Sequence, residues 1–174
     1  MLLRLWAYFD NEHLWFELLR EGHRTGPLWF RELTHDALSF NSAVRVLCDY
    51  GFVEPDMSSR ERSTDSGGYG MHGCVHMWTV HVLNKQRDAE MARLAMRCVG
   101  AHVPADTERD SWVEQRRLLR HAGRCMVMQT TGGISMVEGD EWVLFYLGIL
   151  LRLRAGLPMP RPCTSGRSEV TRRP

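Results

Sequence analysis

The sequence has no excess of charge of either sign. Its 22 lysine and arginine residues stand against 21 aspartate and glutamate residues, which gives a formal net charge of +1. A partner held mainly by charge, such as a nucleic acid or an acidic membrane surface, is therefore not indicated. A C-x-x-C pair is also missing, and the five cysteines are scattered and odd in number. This pattern argues against a disulfide framework or a zinc finger and favours a reduced, cytoplasmic setting.

Long apolar runs and nucleotide-binding motifs are missing as well. Asp10, Asn11 and Glu12 interrupt the apolar N-terminal segment, which therefore does not have the pattern of a signal peptide. No apolar stretch is long enough to span a bilayer. The sequence contains no G-x-x-x-x-G-K-[ST] phosphate loop and no apolar strand that ends in paired acids. We therefore expect no ATP hydrolysis, no catalysis and no cofactor for this chain alone.

What the 174-residue chain does contain is the composition of a globular protein, with 44% hydrophobic residues. Apolar residues at helical spacing, with capping residues and terminal glycines, predict helices over residues 12–20, 28–33, 36–50, 87–98, 110–128 and 141–154. Two short strands are predicted at residues 52–54 and 69–71, joined by a polar turn over residues 57–68. A helix–turn–helix followed by a two-stranded wing is the outline of a winged helix. The predicted fold class is therefore mainly α, a winged helix with a C-terminal helical extension.

The longest of the early helices, over residues 36–50, has a clear predicted orientation. Thr34 is expected to cap it and Gly51 to end it. Its inward face is expected to contain five apolar residues, which are Leu38, Phe40, Val44, Leu47 and Cys48. The aromatic residues Trp6, Trp15, Phe16, Trp29 and Phe30 are expected to belong to the core rather than to a partner-binding stripe.

The segment YGMHGCVHMWTVHVLN contains the most informative pattern of the chain. His72 and His76 lie one helical turn apart, directly after the second predicted strand. The spacing predicts a buried helix over residues 72–84 and leaves two interpretations of His72. It is either a buried histidine bonded to a backbone carbonyl or a contact for a ligand at the mouth of the helix. His76 and Trp78 are expected to pack, and Cys48 and Cys74 to be buried, inert thiols.

A zinc site is the metal interpretation of the same segment. His72 and His76 have the i and i+4 spacing of two ligands on one helix face. Gly73 stands where the H-E-x-x-H motif has its glutamate, however, and no third ligand is evident. We therefore expect no metal.

Three strings together resemble a known region: LWAYFDNEHLWFELL, WFRELTHDALSFNSAVRVLCDYGFVE and GYGMHGCVHMWTVHVLN. They look like the segment after the nucleotide-binding module in fungal STAND-type (NB-ARC or NACHT-like) signalling NTPases, over about residues 3–128. The resemblance implies a winged-helix domain at residues 1–84 and a helical extension at residues 85–138. Residues 139–156 would begin a first kinesin-light-chain-type tetratricopeptide helix. Residues 157–174 would be a disordered tail, which a frameshift in the gene would explain.

In that family the turn from strand into helix carries the MHD motif, and Met71, His72 and Gly73 occupy its positions here. The resemblance implies that His72 reaches the β-phosphate of ADP in the full-length, NLR-like parent, an ATPase with ADP or ATP as its cofactor. An imidazole at the start of a helix suits such an anion. Gly73 stands where the motif has an acidic third residue, which implies that the contact holding the closed, inactive state is altered. The implied partners are the parent's own nucleotide-binding module and proteins bound through the helical repeats, with no nucleic acid and no membrane.

Two functions of other classes stay open. A helical protein–protein interaction module would fold alone and bind through an apolar patch. A DNA-binding winged helix would use residues 36–50 as its recognition helix. That helix has only Arg45 as a basic residue, beside Asp36 and Asp49, and phosphate contacts dominate affinity for DNA. DNA binding is therefore the less favoured of the two.

Overall fold

The computed structural model describes residues 1–56, 67–103, 111–131 and 137–155, without the side chains of residues 111–114 and 153–154. The helices are α1 (Leu2–Trp6), α2 (Phe16–Arg20), α3 (Leu28–Leu33), α4 (Ala37–Asp49), α5 (Gly73–Trp78), α6 (Ala89–Ala101), α7 (Ser111–Thr130) and α8 (Glu141–Arg154). Helix α5 continues into a π-helical turn, Thr79–Leu83. The strands β1 (Val53–Pro55) and β2 (Tyr69–Met71) pair antiparallel. The mainly α class is confirmed.

The loop between α1 and α2 adds an extended segment to the small sheet. Leu14 and Tyr69 exchange two backbone hydrogen bonds, at 2.8 and 2.9 Å between nitrogen and oxygen. His13 beside it has a left-handed backbone, with φ 57°. The prediction of a helix from residue 12 is therefore wrong at its start, because the backbone groups of Leu14 bond to β2 and α2 begins only at Phe16.

Helix α4 begins and ends through local contacts. The carboxylate of Asp36 accepts a hydrogen bond from Ser39 N at 2.7 Å and is the cap. Thr34, the predicted cap, instead donates its hydroxyl to Phe30 O at 2.7 Å, so that prediction is wrong. Gly51 has φ +71° directly after the helix, which confirms it as the residue that ends α4.

One predicted core position of α4 is also wrong. Phe40 and Val44 are fully buried as expected, but the side chain of Leu38 is 76% exposed. Leu38 lies in the first turn, on the side of α4 that faces away from the core. The inward face that helical spacing predicts for α4 therefore includes one residue that is not part of it.

The core is one cluster of buried apolar side chains that extends from α1 to α8. Its largest fully buried members are Trp6, Phe9, Phe30, Phe40, Leu5, Leu14, Leu18, Leu19, Met96, Leu118, Leu147 and Leu150. Trp15 and Phe16 are buried too, and Trp29 is half-buried against the cluster. Burial of each large apolar side chain stabilises the fold by about 1.5–3 kcal/mol.

The C-terminal helices pack closely on α6. A Cβ at Gly100 would lie 3.2 Å from Val143 Cγ1 and 3.3 Å from Val143 Cα, so α6 and α8 touch there through backbone. Arg97 of α6 pairs with Asp140, directly before α8, through bonds of 2.8 and 3.0 Å. No helix in the described ranges is long and apolar enough to span a membrane. Most of the predicted turn at residues 57–68 and the predicted tail at residues 157–174 lie outside what is described.

Candidate functional site at the His72 turn

Met71, His72 and Gly73 form the junction between β2 and α5. Met71 ends the strand with a side chain that is only 2% exposed. Its backbone is held on both sides by Asn11, because Met71 N donates to Asn11 O at 2.7 Å and Asn11 Nδ2 donates to Met71 O at 3.3 Å. The turn is therefore anchored to the loop after α1, while His72 and Gly73 are exposed.

His72 caps the helix that follows it. Its backbone has φ −56° and ψ 134°, and its Nδ1 accepts a long hydrogen bond of 3.4 Å from Cys74 N. Because Nδ1 accepts, the neutral ring carries its proton on Nε2. The side-chain cap of α5 is therefore supplied by His72. The exposed ring presents an N–H donor, which suits an anionic oxygen.

The predicted burial of this helix is wrong. None of the residues of α5 is buried, and Trp78, expected to pack, is 47% exposed. Cys74 is exposed as well, in contrast to the expectation of a buried thiol. The next buried residue along the chain is Thr79, which donates its hydroxyl to His76 O at 2.7 Å. The buried position therefore lies in the π-helical turn rather than in α5.

Gly73 is not required by its surroundings. A Cβ built there would meet nothing within 4 Å, and the residue is exposed at the first position of α5. Side chains, including an acidic one, would therefore fit at this position. Because Gly73 has no side chain, the first turn of α5 next to His72 is not covered at this position.

A surface depression of about 370 Å³ adjoins His72. It is lined by His72 together with residues from the end of α4 and from β1, which are Cys48, Gly51, Phe52, Val53, Glu54 and Pro55. Burial, and secondly the charge of Asp49, raises the pKa of the Cys48 thiol. The thiol is therefore mainly protonated near neutral pH, which disfavours a role as a nucleophile.

His76 has a structural role, in agreement with its predicted packing. Its Nε2 lies 3.1 Å from Phe9 O, so the ring donates to the loop after α1. Burial lowers the pKa of His76 below its usual value, which keeps the ring neutral.

Across the part of the chain that the structure describes, no group of three His, Cys, Asp or Glu side chains could hold a metal ion.

Two residues that support the site are not marked by the sequence. Asn11 holds Met71 from a distance of 60 residues along the chain. His121 of α7 is fully buried and bonds to the backbone of Asp10 and His13. No local pattern marks either role, because both depend on partners brought together by the fold.

Comparison with known proteins adds no assignment. No protein-family model matches the sequence, and neither a curated protein nor a solved structure is significantly similar to it. The chemistry of the His72 turn therefore has to be argued from its own geometry. That geometry offers one exposed imidazole donor, on a turn anchored through Met71.

Proposed function

We propose that this chain is the regulatory, winged-helix part of a nucleotide-gated, NLR-like signalling NTPase. In the full-length parent, His72 would donate a hydrogen bond to a phosphate of ADP held by a separate nucleotide-binding module. The observation that carries this proposal is the exposed His72 ring, whose Nδ1 is taken by the cap and whose Nε2 is a donor. The chain would sense the nucleotide state without performing catalysis.

The anchoring of the turn supports the proposed contact. A phosphate contact that depends on position needs a donor that is held in place before the ligand arrives. Met71 is buried and bonded to Asn11 through both of its backbone groups. His72 would therefore keep its position relative to the core when the nucleotide is exchanged.

The exposed face of α4 supports a protein partner. Leu38 and Val46 of α4, and Tyr50 directly after its end, lie at multiples of four residues and are 76%, 52% and 72% exposed. They therefore form one apolar stripe on this side of the fold, interrupted by the exposed Ser42. Phe52 stacks on Tyr50, with ring centroids 6.0 Å apart, and also lines the depression next to His72. An apolar stripe that leads to the candidate sensor suits a surface packed on another module.

The same stripe weighs against DNA binding. In a DNA-binding winged helix, α4 would be the recognition helix and would need basic and polar side chains on its outer face. Of its exposed positions, however, Leu38 and Val46 are apolar, and Arg45 is the only cation of the helix. A gel-shift experiment at low salt would test this directly, since any DNA binding should be strongest there.

Gating requires a difference in affinity between the two nucleotide states. We expect this chain to bind the ADP-loaded nucleotide-binding module of its parent more tightly than the ATP-loaded one. We also expect no ADP binding by the chain alone, which equilibrium dialysis would measure.

The decisive variant is His72→Ala in the parent. Loss of a hydrogen bond to a charged phosphate should accelerate ADP release by about tenfold or more. His35→Ala is the matched control, because His35 is an exposed histidine at the start of α4, and it should leave ADP release unchanged. The same ADP release rate in the wild type and in His72→Ala would refute the proposal.

A helical protein-interaction module is the second candidate, and the α4 stripe favours it equally. The two functions differ in their dependence on nucleotide. An interaction module would bind its partner through Leu38, Val46 and Tyr50 whether or not ADP is present. Val46→Glu should weaken the contact in both cases, whereas His72→Ala should weaken only a nucleotide-dependent one.

A further inference from the structure

A second cavity lies apart from the His72 depression, and no residue lines both. It has a volume of about 200 Å³ and lies between the loop after α1, the π-helical turn, α6 and α7. Val80, Ala92, Val127 and Met128 form its apolar wall. A π-helical turn within a helix frequently marks a functional site, and this one places Val80 at the cavity.

Two arginines also line this cavity. Arg124 Nη2 donates to Ala7 O at 3.2 Å, while its buried Nε has no hydrogen-bond partner among the described residues. Arg87 Nη1 donates to Thr131 Oγ1 at 3.3 Å. In the ranges that the structure covers, neither guanidinium forms an ion pair with a carboxylate. Among the described residues, the two guanidinium groups are therefore bonded to neutral oxygens rather than to carboxylates.

The electrostatics of the cavity favour an anion. Burial, and secondly the charge of Arg87, lowers the pKa of Arg124, while the negative charge of Asp10 opposes this shift. The two guanidinium groups repel each other, and a bound anion between them would offset that repulsion. Arginine is well suited to this role, since its planar fork binds a carboxylate through two parallel hydrogen bonds.

We propose that this cavity binds a small organic monocarboxylate. The carboxylate would lie between Arg87 and Arg124, and a short apolar body would pack against Val80 and Val127. The volume sets the size, because 200 Å³ is below the range of about 300–1,000 Å³ that is usual for larger ligands. A nucleotide would therefore not fit. This site is separate from the proposed function, since His72 does not line it.

Calorimetric titration of the full chain with hexanoate tests the proposal. Hexan-1-ol has the same apolar body without the charge, and inorganic phosphate has charge without the apolar body. We expect hexanoate to bind measurably and both comparison ligands to bind at least about tenfold more weakly. Equal affinity for hexanol or for phosphate would overturn the proposed ligand class, and no heat from hexanoate would overturn the site.

Two variants locate the binding. Arg87→Gln changes an exposed side chain and should weaken hexanoate by about tenfold, whereas Arg116→Gln, an exposed arginine of α7 away from the cavity, should not. Val127→Trp fills the rim from a position that is half exposed, so it should fold and block the cavity. Hexanoate binding that is unchanged in both Arg87→Gln and Val127→Trp would place the ligand elsewhere and refute the assignment.

Discussion

The buried His121 should make the stability of this protein depend on pH. Its ring lies fully buried in α7, where Nδ1 accepts from Asp10 N at 3.1 Å and Nε2 donates to His13 O at 3.2 Å. Both nitrogens are therefore used by the loop between α1 and α2. Protonation would place an Nδ1–H against the N–H of Asp10, so the folded state requires the neutral ring.

The magnitude follows from the pKa. Burial, the largest influence, lowers the pKa of His121 from its ordinary 6.5 to about 4. Between these two values, His121 is protonated in the unfolded chain but neutral in the folded protein. At about 1.4 kcal/mol for each pH unit, this difference should lower the free energy of unfolding by about 3 kcal/mol. The loss begins as the pH falls below 6.5 and is complete near pH 4, because in that window the unfolded state binds a proton that the folded state does not.

Urea unfolding followed by tryptophan fluorescence, between pH 4 and pH 7.5, measures this dependence. His121→Gln keeps an amide donor and acceptor but cannot titrate, so its free energy of unfolding should fall less over the same range. His76, whose pKa is also lowered by burial, accounts for part of the dependence that remains. His35→Gln changes an exposed histidine and should keep the wild-type slope. Asp36 contributes only at the low-pH end of this range, because the hydrogen bond from Ser39 N lowers its pKa from 3.8 to about 2 and its stabilising effect is lost between those two values. Parallel pH profiles for the wild type and His121→Gln would refute the reasoning.

Two further predictions concern the packing of α6 on α8. Gly100→Ala should lower the free energy of unfolding by about 1–2 kcal/mol, because its Cβ would press on the backbone of Val143. Gly148→Ala, where a Cβ meets nothing within 4 Å, should instead raise the free energy of unfolding by about 0.5–1 kcal/mol. Equal effects of the two variants in urea unfolding would contradict the close approach of Gly100 to Val143. Asp140→Asn should destabilise by about 1–3 kcal/mol, since it leaves half-buried Arg97 without its bidentate carboxylate. A double-mutant cycle with Arg97→Gln measures this coupling, and a value near zero would show that the pair adds nothing.

The sequence predicted best those features that depend on neighbours along the chain. The bounds of α3 and α8 agree with their predictions, and Gly51 ends α4 as expected. These features depend on side-chain spacing, on the fixed φ of proline and on the freedom of glycine, all of which act within one turn of helix. A single sequence contains that information directly.

Features that depend on distant partners were missed or misassigned. The segment around Leu14 has helix-forming neighbours, yet its backbone pairs with Tyr69, 55 residues later, as an isolated bridge. A strand partner so far away leaves no spacing signal, and tertiary contacts override local propensity. The burial of His121 was missed for the same reason, since its partners precede it by more than 100 residues.

The His72 turn combines both kinds of information. The sequence located the residue through its motif, but only the structure shows that Nδ1 is engaged with Cys74 N. Capping of α5 and the proposed phosphate contact would therefore use different nitrogens of one neutral ring, so neither needs to break for the other to form. A charged ring would be a donor at both nitrogens and would lose the cap. The proposed contact is thus compatible with an intact helix start only while His72 is neutral. This position would therefore supply a hydrogen-bond donor to the phosphate rather than a fixed positive charge.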